Sequence, residues 1–99
     1  MKEITLKEFE EQKGLALVKF FSKACGQCKT QEKLLEPIVG NYPNITFTKL
    51  DIACCPTVVQ KYDICTLPTI LLFKDGTVVG ELVGLKPRVL VEKALNELV

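Results

Sequence analysis

Cys25 and Cys28 stand two residues apart where an apolar run gives way to a helical one, and that placement constrains the fold more than any other feature. The run Leu15-Ala16-Leu17-Val18, continuing to Phe21, has the length and bounds of a buried strand. Lys29-Thr30-Gln31-Glu32-Lys33-Leu34-Leu35 follows with helical character, so the pair sits at a strand-to-helix corner. C-x-x-C beside a βαβ pattern is a redox signature, with a zinc site as the competing reading. The corner favours redox chemistry, because a cysteine at a helix N-terminus faces unpaired N–H groups and the positive end of the dipole, which stabilise a thiolate.

Composition narrows the alternatives. The chain has no histidine. It therefore lacks the commonest general base and metal ligand, and Ser-His-Asp and Cys-His nucleophilic catalysis are excluded. Five cysteines cannot all pair within one chain, and their spacing does not match a secreted disulfide framework. The formal charge of +1, with Lys and Glu mixed along 99 residues, carries no nucleic-acid or membrane footprint. Met1-Lys2-Glu3-Ile4-Thr5 lacks the apolar core of a signal peptide, and no apolar run approaches the roughly 20 residues of a bilayer span. A cytoplasmic protein is the expectation.

Taken in order, Glu3-Ile4 reads as a short strand. Thr5-Leu6-Lys7-Glu8 matches a capping box opening a helix to about Lys13, closed by Gly14. Leu15–Phe21 is apolar on both faces, as a central strand should be, with Lys19 its one polar residue. The next helix runs from Gly26 or Gln27 to Val39-Gly40, burying Leu34, Leu35, Ile38 and Val39, with Pro37 inside it. Ile45–Asp51 alternates as a third strand. Cys54-Cys55-Pro56-Thr57 starts a short helix to about Tyr62. Thr69–Phe73 and Thr77–Val83 are strands joined by the Asp75-Gly76 hairpin turn. Pro87 opens a last helix with Leu90, Val91, Ala94, Leu95 and Leu98 at helical spacing. The order β-α-β-α-β-α-β-β-α gives one α/β domain over residues 1–99, a central mixed sheet flanked by helices, parallel within and with an antiparallel edge.

Several segments together resemble the thioredoxin family: Leu17-Val18-Lys19-Phe20-Phe21 leading to Cys25-Gly26-Gln27-Cys28-Lys29, then Lys49-Leu50-Asp51, Tyr62-Asp63-Ile64, Thr66-Leu67-Pro68-Thr69, Leu71-Leu72-Phe73-Lys74-Asp75-Gly76 and Val83-Gly84. The resemblance implies a thioredoxin-like fold and protein-disulfide reduction. Cys25 would be the attacking thiolate and Cys28 the cysteine that resolves the mixed disulfide. Pro68 would be a cis-proline facing the pair. Leu67 would offer its backbone to an extended substrate, with Ala24, Gly26, Gln27, Val83 and Gly84 around it. The implied partners are a thioredoxin-reductase-like electron donor and disulfide-containing clients. No bound cofactor is required, since the dithiol carries the two electrons, and a monomer is expected. A client-specific or glutathione-coupled redox protein, or a binding module with dispensable thiols, are the alternatives.

Four positions depart from the family pattern. Ala24 replaces a Trp, which should change partner choice. Phe21 replaces another Trp beside it. Gln27 replaces the Pro between the cysteines, a position that tunes potential. Lys19 replaces a buried acid that assists proton transfer at the deeper cysteine. A lysine there is costly unless it snorkels outward, pairs with a carboxylate, or loses its proton. In the last case a neutral Lys19 would accept the Cys28 proton, and Lys49, which matches a family lysine, would push it further that way. Cys54, Cys55 and Cys65 read as ordinary semi-buried or free thiols, with Cys55 and Cys65 the candidate regulatory positions. A strained vicinal Cys54–Cys55 bridge is not expected. Cys25, Cys28, Cys54 and Cys55 could supply thiolates to a metal, but tandem cysteines reach one tetrahedral ion poorly, so no metal is expected.

Overall fold

The run Leu15–Phe21 forms the middle of a five-stranded sheet because both its faces are apolar and both are covered. Elements in the computed structural model, which describes residues 1–99, are β1 (Lys2–Glu3), α1 (Leu6–Glu10), β2 (Leu15–Phe21), α2 (Gly26–Val39), β3 (Ile45–Asp51), a 3-10 turn (Ile52–Cys54), α3 (Pro56–Lys61), β4 (Thr69–Lys74), β5 (Thr77–Val83) and α4 (Arg88–Leu98). The sheet order is β1-β3-β2-β4-β5. β1, β3 and β2 run parallel, whereas β4 is antiparallel to β2 and β5 to β4. The expected mixed sheet is present, and its change of direction falls next to the central strand.

Side-chain alternation along β2 divides the core into two layers. Ala16, Val18 and Phe20 pack with Phe9, Leu50, Cys55, Val58, Ile64, Leu71 and Phe73 under α1 and α3. Leu17 packs with Leu35, Ile38, Phe47, Ile70, Leu72, Val91 and Leu95 under α2 and α4. Lys19 shares the alternation of Leu17 and Phe21. It points toward α2, into a position where an apolar residue is the ordinary choice.

Element boundaries moved where local hydrogen bonds decide them. The Thr5 capping box forms, but α1 ends at Glu10 rather than Lys13, since Glu11 and Gln12 turn back on Lys7 and Phe9 carbonyls. β1 sits one residue earlier than Glu3-Ile4, because only Lys2 and Glu3 find register partners on β3. Pro87 caps α4 instead of entering it. The buried side of α2 is Cys28, Gln31, Leu35 and Ile38, while Leu34 and Val39 are only half-buried. Leu90 is exposed. Gln31 was invisible to a hydropathy pattern, yet its amide is fully used. Its Nε2 donates to the Lys86 carbonyl at 3.0 Å, and the Lys86 N–H donates to its Oε1 at 2.8 Å. That pair ties α2 to the segment leading into α4, as buried amides require.

Candidate active site

The two cysteines are placed by the turn from β2 into α2. Cys25 is the N-cap of α2 with extended backbone, and its Sγ accepts from the Cys28 N–H at 3.1 Å. Ser22 holds the approach, its carbonyl accepting from the Cys25 N–H and its Oγ from the Ala24 N–H. Cys25 is partly exposed and Cys28 is 2% exposed, so only the first offers its sulfur outward. Their Cα atoms lie 5.3 Å apart and the sulfurs are bonded to each other, a separation ordinary for a disulfide. In the reduced state the same N–H would stabilise a Cys25 thiolate.

The opposite wall comes from the start of β4. The Leu67–Pro68 peptide is cis, as the family pattern implies. Thr69 is the register partner of both Phe20 on β2 and Val83 on β5. Gly84, at φ +80°, donates its N–H to the Pro68 carbonyl at 2.8 Å. Leu67, Pro68, Val83 and Gly84 are thus one cluster at the sheet end where the Ala24–Gln27 segment emerges. Pro68 is buried. Ala24, Gly26, Gln27 and Val83 are exposed, and Leu67 and Gly84 half-buried.

Behind Cys28, α2 and the sheet enclose a cavity of about 560 Å³ whose lining includes Cys28, Lys19, Phe21, Glu32 and Lys49. Lys19 and Lys49 are register partners on adjacent parallel strands, which sets two ammonium side chains beside each other. Glu32, one helical turn beyond Cys28, answers both: its Oε1 accepts from Lys19 Nζ at 3.1 Å and from Lys49 Nζ at 2.8 Å. Lys19 Nζ also donates to the Cys28 carbonyl at 2.9 Å. Both ammoniums lie over the Phe21 ring, 5.6 and 5.4 Å from its centroid, a geometry that attracts cations.

Lys19 is therefore 1% exposed and does not snorkel. It pairs with a carboxylate, one of the outcomes anticipated for it. Burial pushes it below its ordinary 10.5, with the Glu32 hydrogen bond and charge working against that shift and the Lys49 charge adding to it. Glu32 is held below the usual carboxylate value, chiefly by its hydrogen bond to Lys49, against the opposing effect of burial. Sequence reasoning missed Glu32. Its signal was the four-residue spacing from Cys28, which puts both on one face of α2.

The remaining cysteines divide differently from expectation. Cys54 and Cys55 are bonded to each other, so the vicinal bridge that strain argued against is present. The 3-10 turn ends at Cys55, whose backbone (φ −142°, ψ 61°) is neither helical nor extended, and this brings neighbouring sulfurs together. Cys55 is buried among Val58, Ile64 and Leu71, and Cys54 is exposed. Cys65 is a free, exposed thiol.

The thioredoxin family model matches residues 2–97. The chain belongs to the thioredoxin family. It is 40% identical to a thioredoxin of Chlamydia trachomatis over 75 residues, which is 76% of this chain and 74% of that one. It is 35% identical to a thioredoxin of Staphylococcus haemolyticus over 88 residues, 86% and 85% of the two chains. The crystal structure of oxidised mitochondrial thioredoxin 3 from Saccharomyces cerevisiae superposes with a TM-score of 0.86 at 27% identity, covering 98% of this chain and 94% of that one. Thioredoxin-family membership makes this chain a dithiol-disulfide oxidoreductase, and Cys25–Cys28 is its redox-active pair.

Proposed function

We propose that the protein reduces disulfides of client proteins, with Cys25 as the attacking thiolate and Cys28 as the resolving thiol. The observation that carries this division of labour is the asymmetry at the N-terminus of α2: Cys25 is partly exposed and accepts the Cys28 N–H, while Cys28 is buried. A thiolate needs both access and a donor aimed at it. Cys25 attacks one client sulfur and expels the other as a thiolate. Cys28 then attacks Cys25 Sγ, releasing the second client sulfur and leaving the Cys25–Cys28 disulfide. Two electrons pass to the client, whose thiolates take protons from solvent.

The client lies extended between the Ala24–Gln27 corner and Leu67-Pro68, bordered by Val83 and Gly84. The exposure of Ala24, Gly26, Gln27 and Val83 at one sheet end supports this surface. Proline at 68 has no N–H of its own to satisfy, which leaves Leu67 to pair with a client backbone. Ala24 presents a small contact, so clients that pack bulk against the corner are accommodated. A thioredoxin-reductase-like flavoprotein returns the disulfide to the dithiol, and the protein works as a monomer in the cytoplasm. No helix of the chain is long and apolar enough to cross a membrane, which is compatible with that setting.

The test is insulin disulfide reduction coupled in turn to NADPH with a flavin thioredoxin reductase, to a ferredoxin-linked reductase, and to glutathione. Turnover with the flavin reductase is expected. Turnover with glutathione alone would replace this reading with a glutathione-coupled one. A Cys25→Ser/Cys28→Ser protein that retained client affinity and biological activity would make the fold a binding module.

A further inference from the structure

We infer that Lys19, held as an ammonium by Glu32, sets the redox poise of the Cys25–Cys28 pair by stabilising the thiolate of the reduced form, making this dithiol a weaker reductant than it would be with a neutral residue at position 19. The inference rests on the exchange chemistry proposed above and assigns Lys19 as a positioning and electrostatic residue, since its Nζ reaches the Cys28 carbonyl rather than a sulfur.

Three neighbours of Lys19 Nζ each favour the charged form. Two are acceptors, the Cys28 carbonyl at 2.9 Å and Glu32 Oε1 at 3.1 Å, and the third is the face of the Phe21 ring. A neutral amine acting as a base would need its lone pair directed at Cys28 Sγ, whereas the contact made to Cys28 is a donated hydrogen bond to its carbonyl. Burial opposes the charge and lowers Lys19, but Glu32 is placed to resist that. A single carboxylate serves two ammoniums here. The Lys19–Glu32–Lys49 group therefore keeps one net positive charge whenever all three are ionised.

The wider surroundings do not cancel it. The charged groups facing the cavity from β2, β3, α2 and the connecting loop are Lys19, Lys49, Glu32, Lys29, Lys33, Glu36 and Lys23. Five are cationic and two anionic. The innermost cation, Lys19, is buried and poorly screened, so its field at the neighbouring cysteine is stronger than that of the exposed lysines.

The consequence follows from what changes between redox states. The disulfide is uncharged at sulfur, whereas the dithiol can lose a proton. A cation that stabilises the thiolate favours the reduced form, and a stabilised reduced form is a better oxidant and poorer reductant. In the resolving step the Cys28 S–H proton leaves to solvent in the cavity and the resulting thiolate attacks Cys25 Sγ. The Cys25–Cys28 bond forms, the Cys25–client bond breaks, and the client sulfur departs as a thiolate that solvent protonates. The ammonium assists the first of these events without taking the proton.

The experiment equilibrates the full chain with reduced and oxidised glutathione and quantifies the oxidised fraction of the tryptic peptide 24–29, for the wild type, Lys19→Met, Lys19→Gln and Lys19→Arg. Lys19→Met is expected to shift the equilibrium about tenfold toward the disulfide, or about 30 mV for a two-electron couple. Lys19→Gln, which can still hydrogen-bond the Cys28 carbonyl, carries the same expectation if the Met variant does not fold. Lys19→Arg keeps the charge and should stay within about twofold of the wild type, a small fraction of the charge effect. Thiolate absorbance near 240 nm supplies a second readout, the difference between variant and wild-type curves cancelling Cys54, Cys55 and Cys65. Loss of the charge should move the active-site midpoint up by about one pH unit. An equilibrium unmoved by both neutral variants, or moved as far by Arg as by Met, overturns the inference while leaving the exchange chemistry intact. A wild-type pair that exchanges neither with glutathione nor with dithiothreitol overturns both.

Discussion

The protein carries two bonded cysteine pairs at matching places in the fold, where β2 turns into α2 and where β3 turns through a 3-10 turn into α3, and almost everything about their surroundings differs. Cys25 and Cys28 are separated by one helical turn, so a backbone N–H of the second can point at the sulfur of the first. Cys55 caps α3 without any side-chain hydrogen bond. Behind Cys28 lie a buried ammonium and a cavity lined largely by charged side chains, whereas Cys55 is enclosed by apolar side chains of the α1–α3 layer. The comparison teaches that one kind of corner, a strand handing over to a helix, can hold a bonded cysteine pair in two opposite surroundings. Each pair has one accessible sulfur, Cys25 or Cys54, so access does not separate them; only Cys25 has a backbone N–H aimed at its sulfur, and only Cys28 has a buried charge behind it.

The strongest way to break the comparison is to exchange sulfur for oxygen at each pair. Cys25→Ser or Cys28→Ser should reduce insulin turnover to background, while Cys54→Ser and Cys55→Ser should each leave it within about threefold, neither sulfur taking part in the exchange. Equal losses at both pairs would abolish the distinction. Thiol counting in denaturant sharpens it next: the oxidised chain should show one reactive thiol, Cys65, because the other four cysteines are bonded. Three thiols in place of one would remove the vicinal pair.

A smaller effect concerns stability. Cys55→Ser buries a hydroxyl in an apolar cluster and should cost about 1–3 kcal/mol by urea unfolding of the reduced proteins, whereas the exposed Cys54→Ser should stay within about 0.5 kcal/mol. The smallest effects come from the charges behind Cys28. Glu32 titrates below its unfolded value of 4.5 in the native state. Its contribution is therefore complete above that value and is lost as pH falls through the native one. Glu32→Gln should flatten this part of the acid limb. Lys19 is also lowered, from 10.5. Between its native value and 10.5 the unfolded chain holds a proton the native chain has shed, so stability rises with pH in that window. Lys19→Met should lose the rise in a series of urea unfolding curves.

Much of this was legible before the structure. The apolar run Leu15–Phe21, the Asp75-Gly76 turn and the Thr5-Glu8 capping box each report a local preference, and local preferences survive in the fold. Pro68 and the Cys25–Cys28 corner were legible as a pattern of separated segments. What escaped notice depends on contacts across the sequence. Gln31 is polar on a face that should be apolar, and only Lys86, on a distant segment, explains it. Glu32 looked like one more residue of a solvated helix face until β2 and β3 set Lys19 and Lys49 side by side beneath it. The Cys54–Cys55 bond depends on backbone angles at the end of a three-residue turn, which composition does not encode.

The most direct test of the central claim is to trap the client on the protein. Cys28→Ser, reduced and then incubated with native insulin, should accumulate a mixed disulfide that mass spectrometry locates on the peptide carrying Cys25. That result follows if Cys25 is the exposed attacking thiolate and Cys28 the thiol that would have released the client. An adduct concentrated on Cys54 or Cys65, or no adduct at all, would contradict the account.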